Sequence, residues 1–208
     1  MILTSDYYIS ENSERQKEYD FCINKNIENP DIKKIIYFIT DQEPKHLHKK
    51  IEYVKVDTRP TYKTFFTYMN EKYPNETIIL SNLDIFFDET INLIKNIDFN
   101  KKVLALTRYE YTNNNWILFN ERNCARVSQD TWVFKTPLNI DNVYCDFTLG
   151  IPGCDNRIAY ELVKNEYNVI NNCLTIKTYH KHDSNHRTYK INKVTAVPGP
   201  YHLLPPTV

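Results

Sequence analysis

The chain has 208 residues, 41% of them hydrophobic, and 26 Lys and Arg balance 26 Asp and Glu to a formal net charge of zero. That length and apolar content suit one domain with a continuous core, and zero net charge leaves no global field for nucleic acid or anionic membrane. No apolar run approaches the roughly 20 residues of a membrane span, and the amino terminus lacks the basic and apolar segments of a signal peptide, so a cytosolic protein is expected.

In chain order, residues 2–9 read as a strand. Residues 13–26 read as a helix with Ser or Asn at its start and Tyr19, Cys22 and Ile23 on its apolar side. Strands follow at 34–39 and 51–56, then a helix at 62–73 with apolar positions Tyr62, Phe65, Phe66, Met69 and Tyr73. The run Ile78-Ile79-Leu80 has the character of a buried central strand. A helix at 89–97 and a strand at 103–107 continue a βαβ rhythm, which predicts an α/β fold with a mainly parallel sheet flanked by helices. The rhythm then loosens into segments at 116–119 and 131–135, a helix at 154–166 and a strand at 174–179. The Pro-rich segment 197–208 is expected to be irregular, a tail or linker.

Composition narrows the chemistry further. Five cysteines without a Cys-x-x-Cys pair predict buried free thiols. Three glycines cannot write the glycine-rich loops of a dinucleotide fold or a P-loop, so any phosphate must be held by metal and side chains. Twenty-four asparagines against four alanines indicate coding bias, so Asn113-Asn114-Asn115 carries no weight.

Oxygen ligands appear where the buried strand stops, in Ser81-Asn82-Leu83-Asp84 followed by Ile85-Phe86-Phe87-Asp88. In an open α/β sheet this is the ligand-binding edge, and Asp84 there suits a hard divalent cation. Asp88 reads better as a helix cap. In Thr178-Tyr179-His180-Lys181-His182 the two histidines share one side of a strand, and one of them could complete the metal site. The polar run Asp183-Ser184-Asn185-His186-Arg187 follows, as in a loop around a charged ligand. Gly150 and Gly153 precede a helix whose first turn holds Asp155, Asn156 and Arg157, where a carboxylate could act as base or grip a sugar hydroxyl. Arg59 before Thr61 and Tyr62 can reach a phosphate while Thr61 caps. Asp130 adjoins Trp132, which suits either a sugar platform or the core.

These motifs, together with Asn12-Ser13-Glu14-Arg15-Gln16, Arg59-Pro60-Thr61-Tyr62, Ser128-Gln129-Asp130-Thr131-Trp132, Pro152-Gly153-Cys154-Asp155-Asn156-Arg157 and Gly199-Pro200-Tyr201, resemble nucleotide-sugar glycosyltransferases of the GT-A fold. Within them the pattern is similar to the group typified by the N-terminal glycosyltransferase domain of a chlorella-virus multidomain protein, with relatives in other giant viruses. The resemblance spans nearly the whole chain and implies a single GT-A-like (Rossmann-like) domain over 1–208, a UDP-sugar donor, a glycan acceptor and Mn²⁺ or Mg²⁺. It implies Asp84 and His180 as metal ligands and Asn12, Arg15, Arg59, Tyr62, Asn82, Asp84 and Asn156 as donor contacts. Asp130 and Asp155 are implied at the reacting sugar. Asn82 stands where the family's Asp-x-Asp motif has its first aspartate. A metal-dependent phosphodiesterase or nuclease, and a non-catalytic glycan binder using Trp116 and Trp132, stay open as alternatives. Transfer in a viral host's cytoplasm, with further domains beyond residue 208, completes the expectation.

Overall fold

The computed structural model describes residues 1–112, 114–119, 125–184 and 196–208. Among these, a seven-stranded sheet is built from β1 (Ile2–Asp6), β2 (Lys34–Ile39), β3 (Ile51–Lys55), β4 (Thr77–Ser81), β6 (Lys102–Leu106), β9 (Thr131–Lys135) and β10 (Asn168–Ile170), in the order β10-β6-β9-β4-β1-β2-β3. All neighbours pair in parallel except around β9, which runs antiparallel between β4 and β6. The mainly parallel sheet expected from the βαβ rhythm is therefore present.

Side chains alternate between two cores, as the two-residue period of a strand dictates. Ile78 and Leu80, Val103 and Ala105, and Trp132 and Phe134 face α2 (Tyr62–Lys72) and α3 (Cys154–Lys164). Ile79, Leu104 and Val133 face α1 (Ser13–Glu28) and a 3₁₀ helix (Glu89–Asn96). Both faces are covered, which is why these strands read as continuous apolar runs. Trp132 is fully buried in this core, so it offers no platform for a sugar. The free thiols of Cys22, Cys145, Cys154 and Cys173 are buried as expected, and Cys124 lies outside the described residues.

A second sheet of four strands, β5 (Ile85–Phe87), β11 (Thr178–Lys181), β7 (Tyr109–Thr112) and β8 (Asn115–Leu118), stands beside the first in that order. Two expectations change here. The segment at 89–97 is a 3₁₀ rather than an α-helix, with Asp88 as its cap accepting from the Thr90 amide at 2.9 Å. The strand expected at 174–179 begins only at Thr178, because the amides of Thr175 and Ile176 turn back to the Asn172 carbonyl (3.1 and 2.9 Å) and leave Ile176 packed without a ladder. The segment at 116–119 becomes β8, the edge of the small sheet. Residues 197–208 are irregular and lie against the body. The Leu204 amide donates to Arg126 O, the His202 amide to Asn156 O, and Val197 and Leu204 are buried.

Candidate active site

The carboxyl ends of β1, β4 and β6 and the amino end of the antiparallel β9 meet at one edge of the sheet. A cleft of about 380 Å³ opens there, lined by Asp6, Tyr8, Arg15, Arg59, Asn82, Asp84, Arg108, Asp130, Gly150, Asp155, His180 and His182, among others. Of the residues singled out from sequence, Arg15, Arg59, Asn82, Asp84, Asp130, Asp155 and His180 come together in this cleft. Asn12, Tyr62 and Asn156 do not line it. Asn12 caps α1 through the Arg15 amide (2.9 Å), Tyr62 is buried against the rings of Phe66, Trp132 and Phe147, and Asn156 donates to Val127 O (3.0 Å). Asn185, His186 and Arg187 lie outside the described residues.

Asp84 leaves β4 and is immediately followed by β5. The register Ile85↔His180 between β5 and β11 sets His180 beside it. One oxygen, Asp84 Oδ2, accepts from Arg15 Nη2 and lies 3.1 Å from His180 Nε2, while Oδ1 is buried with no partner. Burial opposes the charge on Asp84, but His180 and Arg15 outweigh it and hold the carboxyl far below its usual range. For His180, burial works against protonation, and Asp84 and then Glu110 (2.7 Å from Nδ1) overcome it, raising its pKa to about 9. His182 stacks on His180 with ring centroids 5.3 Å apart. Burial first, then Arg15 and His180, lower its pKa and favour a neutral ring. Ligand atoms of Asp84, His180 and His182 all lie within 4.8 Å of one another. Once His180 gives up its Nε2 proton, one carboxylate oxygen and two imidazole nitrogens, with an orphaned buried oxygen alongside, make a donor set that fits a divalent cation.

On the opposite wall Asp130 is fixed by Asn82 Nδ2 (2.9 Å), Arg108 Nη1 (2.7 Å) and Ser128 Oγ (3.3 Å). Arg108 also pairs with Glu110 (2.6 Å), so one guanidinium links the histidine side of the cleft to the aspartate side. Asp155, in the first turn of α3, accepts from the Cys154 thiol (3.2 Å). Burial and then the charge of Asp130 push its pKa up to about 8. Arg59 sits at the rim, held by Asp6 (2.8 Å) and Leu149 O (2.9 Å). Gly150 has φ +75°, and a Cβ there would lie 3.3 Å from Asn82 Oδ1, so the loop before α3 packs directly on the Asn82 amide.

Asp6, Tyr8, Arg108 and Glu110 are additions to the residues expected from sequence, and both histidines of the pair, where one was expected, adjoin Asp84. Asp6 and Tyr8 follow the same logic as Asp84, polar residues where a buried strand ends, and could have been found by it. Arg108 and Glu110 gain meaning only through His180 and Asp130.

No protein-family model matches the sequence, and a search of curated proteins finds no relative. Among solved structures the chain is similar to residues 1–349 of S. aureus TarS in complex with UDP-GlcNAc, with a TM-score of 0.52 and 11% identity over 91% of this chain. It spans 61% of that structure's length. It also overlays a putative glucose-1-phosphate thymidylyltransferase from Bacillus anthracis in complex with a sucrose, with a TM-score of 0.44 and 9% identity over 88% of this chain and 86% of that one, a likeness too slight to carry weight. Sequence identity this low speaks to architecture alone, and the architecture of this chain is a GT-A-like α/β fold.

Proposed function

We propose that the chain transfers a sugar from a UDP-sugar donor, with the help of a divalent cation, to a hydroxyl of a glycan or protein-linked glycan. The observation that carries this reading is the convergence in one cleft of an unpartnered Asp84 oxygen, two imidazoles, three arginines and the carboxylates Asp130 and Asp155. The complex of TarS with UDP-GlcNAc supports a nucleotide-sugar donor. Among the described residues no helix is long and apolar enough to cross a membrane. The resemblance to giant-virus enzymes and a cytoplasmic location belong to the same reading.

In it, Asp84, His180 and His182 hold the cation, and two imidazoles favour Mn²⁺ over Mg²⁺. A bound cation supplies Lewis-acid neutralisation of the charge gathering on the departing diphosphate. Arg59 and Arg15 face the phosphates, as guanidinium groups suit them. Asp130, immobilised by Asn82 and Arg108, receives a sugar hydroxyl. Asp155 takes the proton of the acceptor hydroxyl, a role its raised pKa suits near neutrality, and a base in that position gives inversion at the anomeric carbon.

A thermal-shift panel tests this. At ligand concentrations near 100 times Kd, binding adds about 2.7 kcal/mol, or roughly 5–10 °C for a chain of this size. UDP and UDP-sugars should raise Tm in the presence of Mn²⁺, and GDP should not. No shift with any nucleotide, or Mn²⁺-dependent cleavage of nucleic acid, overturns the reading.

A further inference from the structure

We infer that Arg15 is a built-in counter-cation of the candidate metal centre, so that its guanidinium and a divalent cation are alternative partners of Asp84 and His182. The inference rests on the proposed cation site and adds a device to it. Arg15 Nη2 bonds Asp84 Oδ2, and Arg15 Nη1 lies 2.5 Å from His182 Nδ1. One guanidinium therefore bridges two of the three groups whose ligand atoms cluster within 4.8 Å. A cation that takes Asp84 Oδ2 and His182 Nδ1 as ligands therefore competes with the guanidinium for both atoms.

Two features make this arginine displaceable rather than purely structural. Its pair with Asp84 uses a single carboxylate oxygen and leaves Oδ1 buried without a partner, whereas the strong arginine–carboxylate pair is a two-pronged fork. Arg15 also has a second carboxylate, Glu18 Oε2 at 2.6 Å, and a hydrogen bond from Nε to Tyr19 Oη at 2.9 Å. On leaving Asp84 it keeps a neutralising partner, and no isolated buried charge results. The released guanidinium still faces the cleft, where an incoming diphosphate is its natural new partner.

A linkage follows. Without nucleotide, a divalent cation must break the Arg15–Asp84 pair, which weakens its binding. A nucleoside diphosphate that accepts the freed guanidinium removes that penalty, so nucleotide and cation strengthen one another, and reciprocally. Arg15 thereby makes cation binding wait for the diphosphate.

The test is direct Mn²⁺ binding, followed by electron paramagnetic resonance of free Mn²⁺, with and without UDP. Arg15→Gln should bind Mn²⁺ on the order of tenfold more tightly than the wild type in the absence of UDP, and the enhancement by UDP should shrink by about the same factor. Equal or weaker Mn²⁺ binding by Arg15→Gln overturns the exchange and leaves the metal site standing. Failure of both proteins to bind Mn²⁺, with or without UDP, overturns the exchange together with the cation reading on which it rests. Should the variant not fold, the wild type suffices. Diamagnetic Zn²⁺, which suits the same ligands, should move the Arg15 Nε–H resonance in the wild-type protein and not in Asp84→Asn. An unmoved resonance at saturating Zn²⁺ overturns the exchange.

Discussion

Substituting the three glycines by alanine separates backbone strain from space at the cleft. Gly150 and Gly153 both have left-handed backbones, φ +75° and +81°, a conformation that costs a residue with a Cβ about 1–2 kcal/mol. At Gly150 the added Cβ would meet the Asn82 amide at 3.3 Å, and a side chain can give by a few tenths of an ångström. The strain then dominates, and Gly150→Ala should lower Tm by about 2–8 °C at roughly 2–4 °C per kcal/mol. At Gly153 the Cβ would lie 2.7 Å from the Val197 carbonyl, which is backbone, so overpacking of about 1–3 kcal/mol adds to the same strain. Gly199 has neither problem, since its nearest contact is 3.6 Å and its φ is not left-handed. Calorimetry should therefore rank Gly153→Ala below Gly150→Ala and put Gly199→Ala about 1–4 °C above wild type. Because Asn82 holds Asp130, Gly150→Ala should also slow transfer on the order of 10–100-fold. A Gly199→Ala protein as unstable as Gly153→Ala, or a Gly150→Ala protein with unchanged Tm, would refute the reasoning.

Two further outcomes are expected. Asp155 has a pKa raised from 3.8 to about 8 by burial and Asp130, so its stabilising protonated form is fully present at low pH and is lost as pH rises through about 8. Transfer should rise with pH over the same range as the carboxylate forms, and Asp155→Asn should be inactive yet melt higher than wild type near pH 9. A melting difference that stays flat from about pH 4 to pH 9 would contradict the burial of this charge. Trp132 is wholly buried and Trp116 is 49% exposed, so Trp132→Ala should cost about 3–5 kcal/mol and Trp116→Ala about 0.5 kcal/mol or less in denaturant titrations. Comparable losses would mean that the small sheet buries more than its geometry indicates.

The legible parts of this fold were those governed by local rules. Ile78, Ile79 and Leu80 announce a strand covered on both faces, and the abrupt polar break after them marks the binding edge, since a buried strand seldom meets a carboxylate without a ligand or partner. Gly153-Cys154-Asp155 announces a helix start. The position of β9 was not legible, because its residues specify a strand but not that it will lie antiparallel between β4 and β6; that order is decided by contacts far apart in sequence. Glu110 and Arg108 were hidden for a similar reason. On a short hairpin they look like surface charges, and only the fold sets Glu110 against His180 and Arg108 against Asp130. Tyr62 misled in the other direction, because a tyrosine beside Arg59 looks polar in function while its ring belongs to the core.

The pairing of Ile85 with His180 has a consequence for assembly. Asp84 and His180 are separated by nearly half the chain and are brought together by the backbone ladder between β5 and β11. Contacts of such sequence separation carry the largest loop-closure penalty and form late in folding. A chain whose second sheet has not closed would own each ligand but no centre. One residue inserted between Ile176 and His180 would turn the imidazole to the opposite face of β11 while leaving the seven-stranded sheet intact. Cation binding would thus act as a proofreader of topology, reporting that the last long-range strand has docked in register.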